Sequence, residues 1–182
     1  MSEIILMSDP RVAAVPVQEC GEGLVDVRRD GRLLVDAREQ SSSDTFAQLR
    51  AGVLDRLLAA QSSLPRGLRL LFVEGHRAPA LQRRYFDGYA SRLRTAHPEW
   101  SAEQLRTAAS RFVSPPEIAP HSAGAAVDLT LADADGRELD LGTPIDASPE
   151  ASAGACYTGY WALASGAAAA CYGPTDVGRP AD

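Results

Sequence analysis

The segment Pro120-His121-Ser122-Ala123-Gly124-Ala125-Ala126-Val127-Asp128-Leu129-Thr130-Leu131 constrains this chain more than any other. A proline opens it, and a glycine in its middle lets the backbone turn sharply. From Ala126 onward, apolar and polar residues alternate with the period of two that a half-buried strand requires. The spacing predicts Val127, Leu129 and Leu131 on one face and Asp128 and Thr130 on the other, where a cleft can lie. An imidazole and a carboxylate thus flank one turn-to-strand unit. Catalytic zinc takes nitrogen and oxygen donors of this kind, needs a third protein ligand, and keeps one position open for water. No third ligand and no general base stand out in the sequence. A single histidine is ordinarily structural or exposed, and spacing alone leaves that reading of His121 open beside the metal one.

The rest of the chain reads as a mixture of short strands and amphipathic helices. Leu24–Arg28 and Arg32–Asp36 flank Asp30-Gly31, a hairpin signal. Asp44 to Ala60 places Phe46, Leu49, Val53, Leu57 and Leu58 on one helical face, with Thr45 and Gln48 as a capping box. Leu68–Val73 is an apolar run between Gly67 and Gly75, expected as a buried strand. A helix from Pro79 to about Arg94 follows, with Leu81, Tyr85, Tyr89 and Leu93 in register and proline in its first turn. Ser101 to Arg111 is a shorter helix with its own capping box, Ser101 and Gln104. Ser114–Pro120 is too proline-rich for a helix and is expected to be an extended loop. Asp135-Gly136 turns the chain into Arg137–Leu141, a second hairpin. The pattern decays after Thr143. The expected architecture is α+β, a small, mostly antiparallel sheet with helices packed on one side. It forms one domain over residues 1–172, with a frayed tail at 173–182.

Composition narrows the function classes. The net charge of −6 argues against a nucleic-acid partner, which would meet a basic face. All 18 basic residues are arginines, so Schiff-base chemistry through lysine is excluded. Cys20, Cys156 and Cys171 form no CxxC pair and read as reduced thiols. No apolar run approaches the ~20 residues of a membrane span. The first ten residues lack the pattern of a signal peptide, so a cytoplasmic location and no membrane partner are expected.

Three further polar residues have chemistry to offer. Arg77, in Val73-Glu74-Gly75-His76-Arg77-Ala78-Pro79, lies between a buried strand and a helix. There it can point into a cleft and stabilise an oxyanion, or simply pair with Glu74. Asp146, in Leu141-Gly142-Thr143-Pro144-Ile145-Asp146, can hold an ammonium group or be an ordinary loop aspartate. His76 and His97 are weaker candidates, the second a helix-end cap. Asp133, Asp135 and Glu138 lack the spacing of a calcium loop and are explained by the hairpin turn.

His121-x-x-Gly124-x-Ala126-x-Asp128, with Leu-Thr-Leu after it, resembles the zinc motif of the bacterial D-alanyl-D-alanine dipeptidases, zinc D,D-peptidases that act on peptidoglycan peptides. Glu74–Pro79 resembles the arginine-bearing turn of that family, and Leu141–Asp146 its substrate-amine segment. The three anchors fall in family order over roughly residues 1–150. The resemblance implies a zinc D,D-peptidase-like fold and zinc as cofactor, with His121 and Asp128 as metal ligands. It implies Arg77 as the group that stabilises the tetrahedral intermediate and Asp146 as the group that holds the substrate's free amine. The implied substrate is the small molecule D-Ala-D-Ala, and the implied reaction its metal-assisted hydrolysis. Two departures follow. Ala119 stands where the family usually has serine. The Glu-x-x-His segment that carries the family's base and third ligand is missing, as if deleted near residues 158–159, where Tyr160-Trp161-Ala162-Leu163 follows directly. Nothing in the sequence marks Cys156, His76 or Glu150 as a replacement. Slow hydrolysis, or a remnant that only binds D-Ala-terminated peptides, is the expectation.

Overall fold

A computed structural model describes residues 7–16 and 18–147. The residues around 158–159, Glu150, Cys156, Cys171 and the tail at 173–182 lie outside that range, as does the far limit of the domain. Among the described residues the order is α1 (Pro10–Ala13), β1 (Leu24–Asp26), β2 (Leu34–Val35), β3 (Gln48–Arg50), α2 (Ala51–Ser63), β4 (Arg69–Glu74), α3 (Pro79–Ala96), α4 (Ala102–Ala109) and β5 (Asp128–Ala132). Short 3-10 turns at Val27–Arg29 and Pro120–Ala123 complete the set. The architecture is α+β, and its strand pairing is mostly antiparallel.

The centre is β4. Its residues from Leu70 to Glu74 are all buried, because the strand is covered on both faces. Alternation sends Leu70 and Phe72 to one face and Leu71 and Val73 to the other. Leu70 and Phe72 join Val27, Leu33, Phe46, Ala47, Leu49 and Leu57 in the larger apolar cluster. Each side chain buried there contributes about 1.5–3 kcal/mol relative to exposure. β5 pairs antiparallel with β4, with Leu71 opposite Thr130 and Glu74 opposite Asp128, and β2 pairs parallel on the other edge. A second apolar cluster joins α3 to α4 through Phe86, Tyr89, Leu93, Leu105 and Ala109. α2 serves the larger cluster through Leu57, and α3 with α4 form the second.

Several local expectations hold. α3 begins at Pro79, whose missing N–H is one that a first turn leaves unpaired anyway. α4 carries the Ser101–Gln104 capping box in full. His97 caps α3 with its N–H on the Leu93 carbonyl, and its ring stacks on Trp100 at 3.8 Å.

Four expectations are corrected or narrowed. The Asp30-Gly31 hairpin does not form: β1 pairs instead with β3, and β2 with β4. β2 finds the longer apolar strand β4, and β1 pairs with β3, whose Leu49 is fully buried, so tertiary burial outweighs a local turn. The helix expected from Asp44 starts only at Ala51, because Gln48–Arg50 is held as a strand against β1. Phe46 and Leu49 are buried as expected, but on non-helical backbone. Along β5, Val127 and Leu131 pack against the larger cluster, whereas Leu129 is 37% exposed and Thr130 is buried. The second hairpin reduces to one bridge, Ala132 to Glu138, closed by Asp133 N–H to the Arg137 carbonyl at 2.9 Å.

Candidate active-site cleft

The site starts at the end of β4, where the chain must leave a buried strand without a side chain in the way. A Cβ on Gly75 would lie 2.3 Å from the Gln48 carbonyl oxygen, so only glycine fits there. Gly75 N–H donates to the Phe46 carbonyl at 2.7 Å and His76 N–H to the Gln48 carbonyl at 2.6 Å. These bonds fix the turn that carries Arg77. The second turn, Pro120–Ala123, ends at Gly124 with φ of +67°. Its His121 carbonyl accepts from Arg77 N–H at 3.2 Å, and the Ser122 hydroxyl donates to the Arg77 carbonyl at 3.0 Å. The two turns are thereby tied together, 44 residues apart in sequence from Arg77 to His121 and adjacent in space.

Arg77 is the most heavily engaged polar side chain in the cleft. Its Nε donates to Glu74 Oε1 at 2.9 Å, Nη2 to Glu74 Oε2, and Nη1 to Gln82 Oε1 at 3.0 Å. Gln82, fully buried on α3, is held in turn by donating to the Ser114 carbonyl at 2.7 Å. The Tyr85 ring lies 5.0 Å from the guanidinium carbon. Burial opposes the arginine's charge, but Glu74, Asp128 and Tyr85 outweigh it and hold its pKa above the ordinary value. The pairing with Glu74, which sequence offered as the plain alternative, is therefore present. It leaves two of the guanidinium's five N–H groups for other acceptors.

His121 and Asp128 meet as their spacing anticipated. His121 Nδ1 lies 2.7 Å from the Gly75 carbonyl oxygen. A carbonyl can only accept, so Nδ1 carries the proton and the Nε2 lone pair faces outward. Nε2 lies 3.5 Å from Asp128 Oδ2, and Arg77 Nη2 lies 3.7 Å from the same oxygen. Burial lowers the His121 pKa, yet the Asp128 carboxylate and the Gly75 carbonyl outweigh it, and the net direction is up.

Two donors held to one tetrahedral zinc at about 2.0–2.2 Å would themselves be separated by about 3.4 Å. The Nε2–Oδ2 distance matches that edge, and a backbone carbonyl on the far ring nitrogen is the usual outer partner of a metal-bound histidine. These two residues fit half of a zinc site. Among the described residues no group of three or more His, Cys, Asp or Glu is placed to hold a metal, so the site is not completed there.

Asp146 closes the same cleft, at a positive φ of 60° that aspartate tolerates better than most residues. Although the residue is exposed at the cleft edge, desolvation by the surrounding walls, then the neighbouring Asp128, Glu39 and Glu74, push its pKa up, against the pull of Arg77. The four residues singled out from sequence, Arg77, His121, Asp128 and Asp146, thus line one cleft of about 550 Å³. His76 does not join them. It bonds Thr45 Oγ1 through Nδ1 at 2.9 Å, and burial followed by the Arg50 charge lowers its pKa.

Sequence reasoning passed over Glu39, Tyr85, Tyr89, Arg92 and Phe112 as parts of the cleft, and Gln82 as the buried group that holds Arg77 from behind. Gln82 had a signal: a polar side chain four residues before Phe86, on the apolar stripe of a helix. Tyr85 and Tyr89 were read only as helix core, and Glu39 sits in a loop with no pattern of its own.

No protein-family model matches the chain, and no curated protein or solved structure matches it. No helix among the described residues is long and apolar enough to cross a membrane.

Proposed function

We propose that the cleft is the substrate site of a zinc-dependent dipeptidase that hydrolyses D-alanyl-D-alanine, an activity tied to peptidoglycan metabolism. One observation carries the reading: residues from position 77 to position 146, each with a separate role in that chemistry, line a single cleft. His121 and Asp128 would hold the metal. Bound zinc would supply an acidified water and polarise the scissile carbonyl. Asp146 is placed to pair with a substrate ammonium, and its acidic neighbours favour a cation there. The two N–H groups that Glu74 and Gln82 leave on Arg77 are available to a substrate carbonyl oxygen, held in fixed orientation by the bonds behind them.

Binding without turnover is the second reading. It is favoured by the full engagement of Glu74 with Arg77, which removes that carboxylate as a base.

The deciding experiment is D-alanine release from D-Ala-D-Ala by the full chain, with zinc and with a chelator, alongside dipeptide binding. Chelator-sensitive release supports hydrolysis. Binding that depends on Asp146, with no release, supports the second reading. A folded protein that neither binds nor cleaves the dipeptide overturns both.

A further inference from the structure

The cleft is larger than two alanines fill, and its charges are not evenly spread. Glu39, Glu74, Asp128 and Asp146 are its acids, and the Asp146 carboxyl responds to the other three and to Arg77. The wall supplied by α3 is different. Tyr85, Tyr89 and Arg92 follow one another at spacings of four and three residues, so they share one helix face. Tyr85 covers Arg77, and Arg92 lies roughly 10 Å further along the axis at 1.5 Å per residue. The Arg92 guanidinium carbon lies 5.3 Å from the Tyr89 ring centre, and no carboxylate among the described residues lies within ion-pair distance of it. Phe112 leans on the same Tyr89 ring, centroids 5.0 Å apart and planes at 59°. Phe112 is nevertheless 37% exposed, one of few large apolar side chains among the described residues left in water.

A cation steadied on a ring, beside an exposed phenyl group in a cleft whose other charged residues are mostly acids, suits the end of a ligand that carries both a carboxylate and an apolar group. We infer that Tyr89, Arg92 and Phe112 form a recognition subsite for the C-terminal residue of a zwitterionic dipeptide, with Arg92 binding its carboxylate and Phe112 packing an aromatic or other large side chain. The inference rests on the reading of the cleft as a peptide site and deepens it: the preferred ligand has a C-terminal residue larger than alanine. Arginine suits the task because its planar fork meets both carboxylate oxygens. The Tyr89 ring limits its rotamers and reduces the entropy lost on binding.

The test is calorimetric binding to the full chain of D-Ala-D-Ala, D-Ala-D-Phe and the C-terminal amide of D-Ala-D-Phe. Wild type is compared with Arg92→Met, Phe112→Ala and Asp146→Asn. D-Ala-D-Phe should bind about fivefold more tightly than D-Ala-D-Ala, the scale of one added aromatic contact. Arg92→Met should weaken the free acid about tenfold and leave the amide unchanged, as expected for one lost charge-assisted contact. Phe112→Ala should abolish the preference for phenylalanine. Equal losses on acid and amide, or Asp146-dependent binding of D-Ala-D-Ala with no gain for D-Ala-D-Phe, overturn the subsite alone. Absence of binding by all three ligands to folded wild type overturns the peptide reading of the cleft and the subsite with it.

Discussion

Arg77 and Asp146 face the same cleft from opposite kinds of surroundings. Arg77 is gripped by Glu74 and Gln82, with Gln82 anchored to the Ser114 carbonyl behind it. Asp146 is exposed and makes no side-chain hydrogen bond with another described residue, and its nearest charges are mostly acids. One corner is satisfied by the protein itself. The other holds negative charge that, among the described residues, Arg77 alone is seen to offset. A rigid positioning group set against an unbalanced acid is the arrangement expected where a cationic ligand completes the electrostatics.

The contrast breaks most sharply at the Arg77 corner. Arg77→Met leaves the buried Glu74 without its partner, and removing one member of such a pair costs about 3–5 kcal/mol. Urea unfolding should show that loss, and adding Glu74→Gln should recover part of it. A cost below about 1 kcal/mol would mean that the pair does not build this corner.

Metal binding comes next. His121→Ala and Asp128→Asn should each weaken zinc binding by more than the 10–100-fold typical of losing an outer partner. Zinc content unchanged in either variant, read by elemental analysis after gel filtration, removes that residue from the ligand set.

At Asp146 the two corners should respond oppositely. Asp146→Asn keeps the tolerance for positive φ, should weaken dipeptide binding about tenfold, and should slightly raise the melting temperature at neutral pH. The raised carboxyl is uncharged in both folded and unfolded chains below its ordinary value of 3.8, and there the stability difference should vanish. It should grow as pH rises through the folded-state value, and remain small because solvent screens an exposed group. A variant less stable than wild type at pH 7 would show that Asp146 is favourably paired after all.

The smallest effect separates the two histidines. In chelator, the His121–Asp128 contact stabilises the fold fully below the ordinary histidine value of 6.5 and is lost as pH rises through the raised folded-state pKa. His76 does the reverse: its pKa is lowered, so stability is full above 6.5 and falls as acid protonates the unfolded chain first. Melting curves of His121→Gln and His76→Gln against pH should deviate from wild type with opposite slopes. Parallel curves would place both rings in equivalent surroundings.

What could be read in advance followed the range of the forces involved. The α4 capping box and the Pro79 start of α3 depend on groups within a few residues, and both stand where local chemistry puts them. Phe46 and Leu49 show the limit. Their burial was legible, but their backbone was not, since a short apolar run fits a helix or a strand until a partner is present. The partner, β1, lies 24 positions earlier at the Leu49–Val25 pair.

The same division governs the site. Sequence alone determined the residue types at positions 77, 121, 128 and 146, and a glycine at 75 and at 124 that lets each turn close. The tertiary structure decided that Glu74 is committed to Arg77, that His121 presents Nε2, and that an aromatic wall from α3 with Phe112 lines the cleft. The first is a local pair three residues apart that burial selects from the alternatives, whereas the other two rest on contacts across tens of residues, where burial of apolar surface and satisfaction of buried polar groups outweigh any local preference.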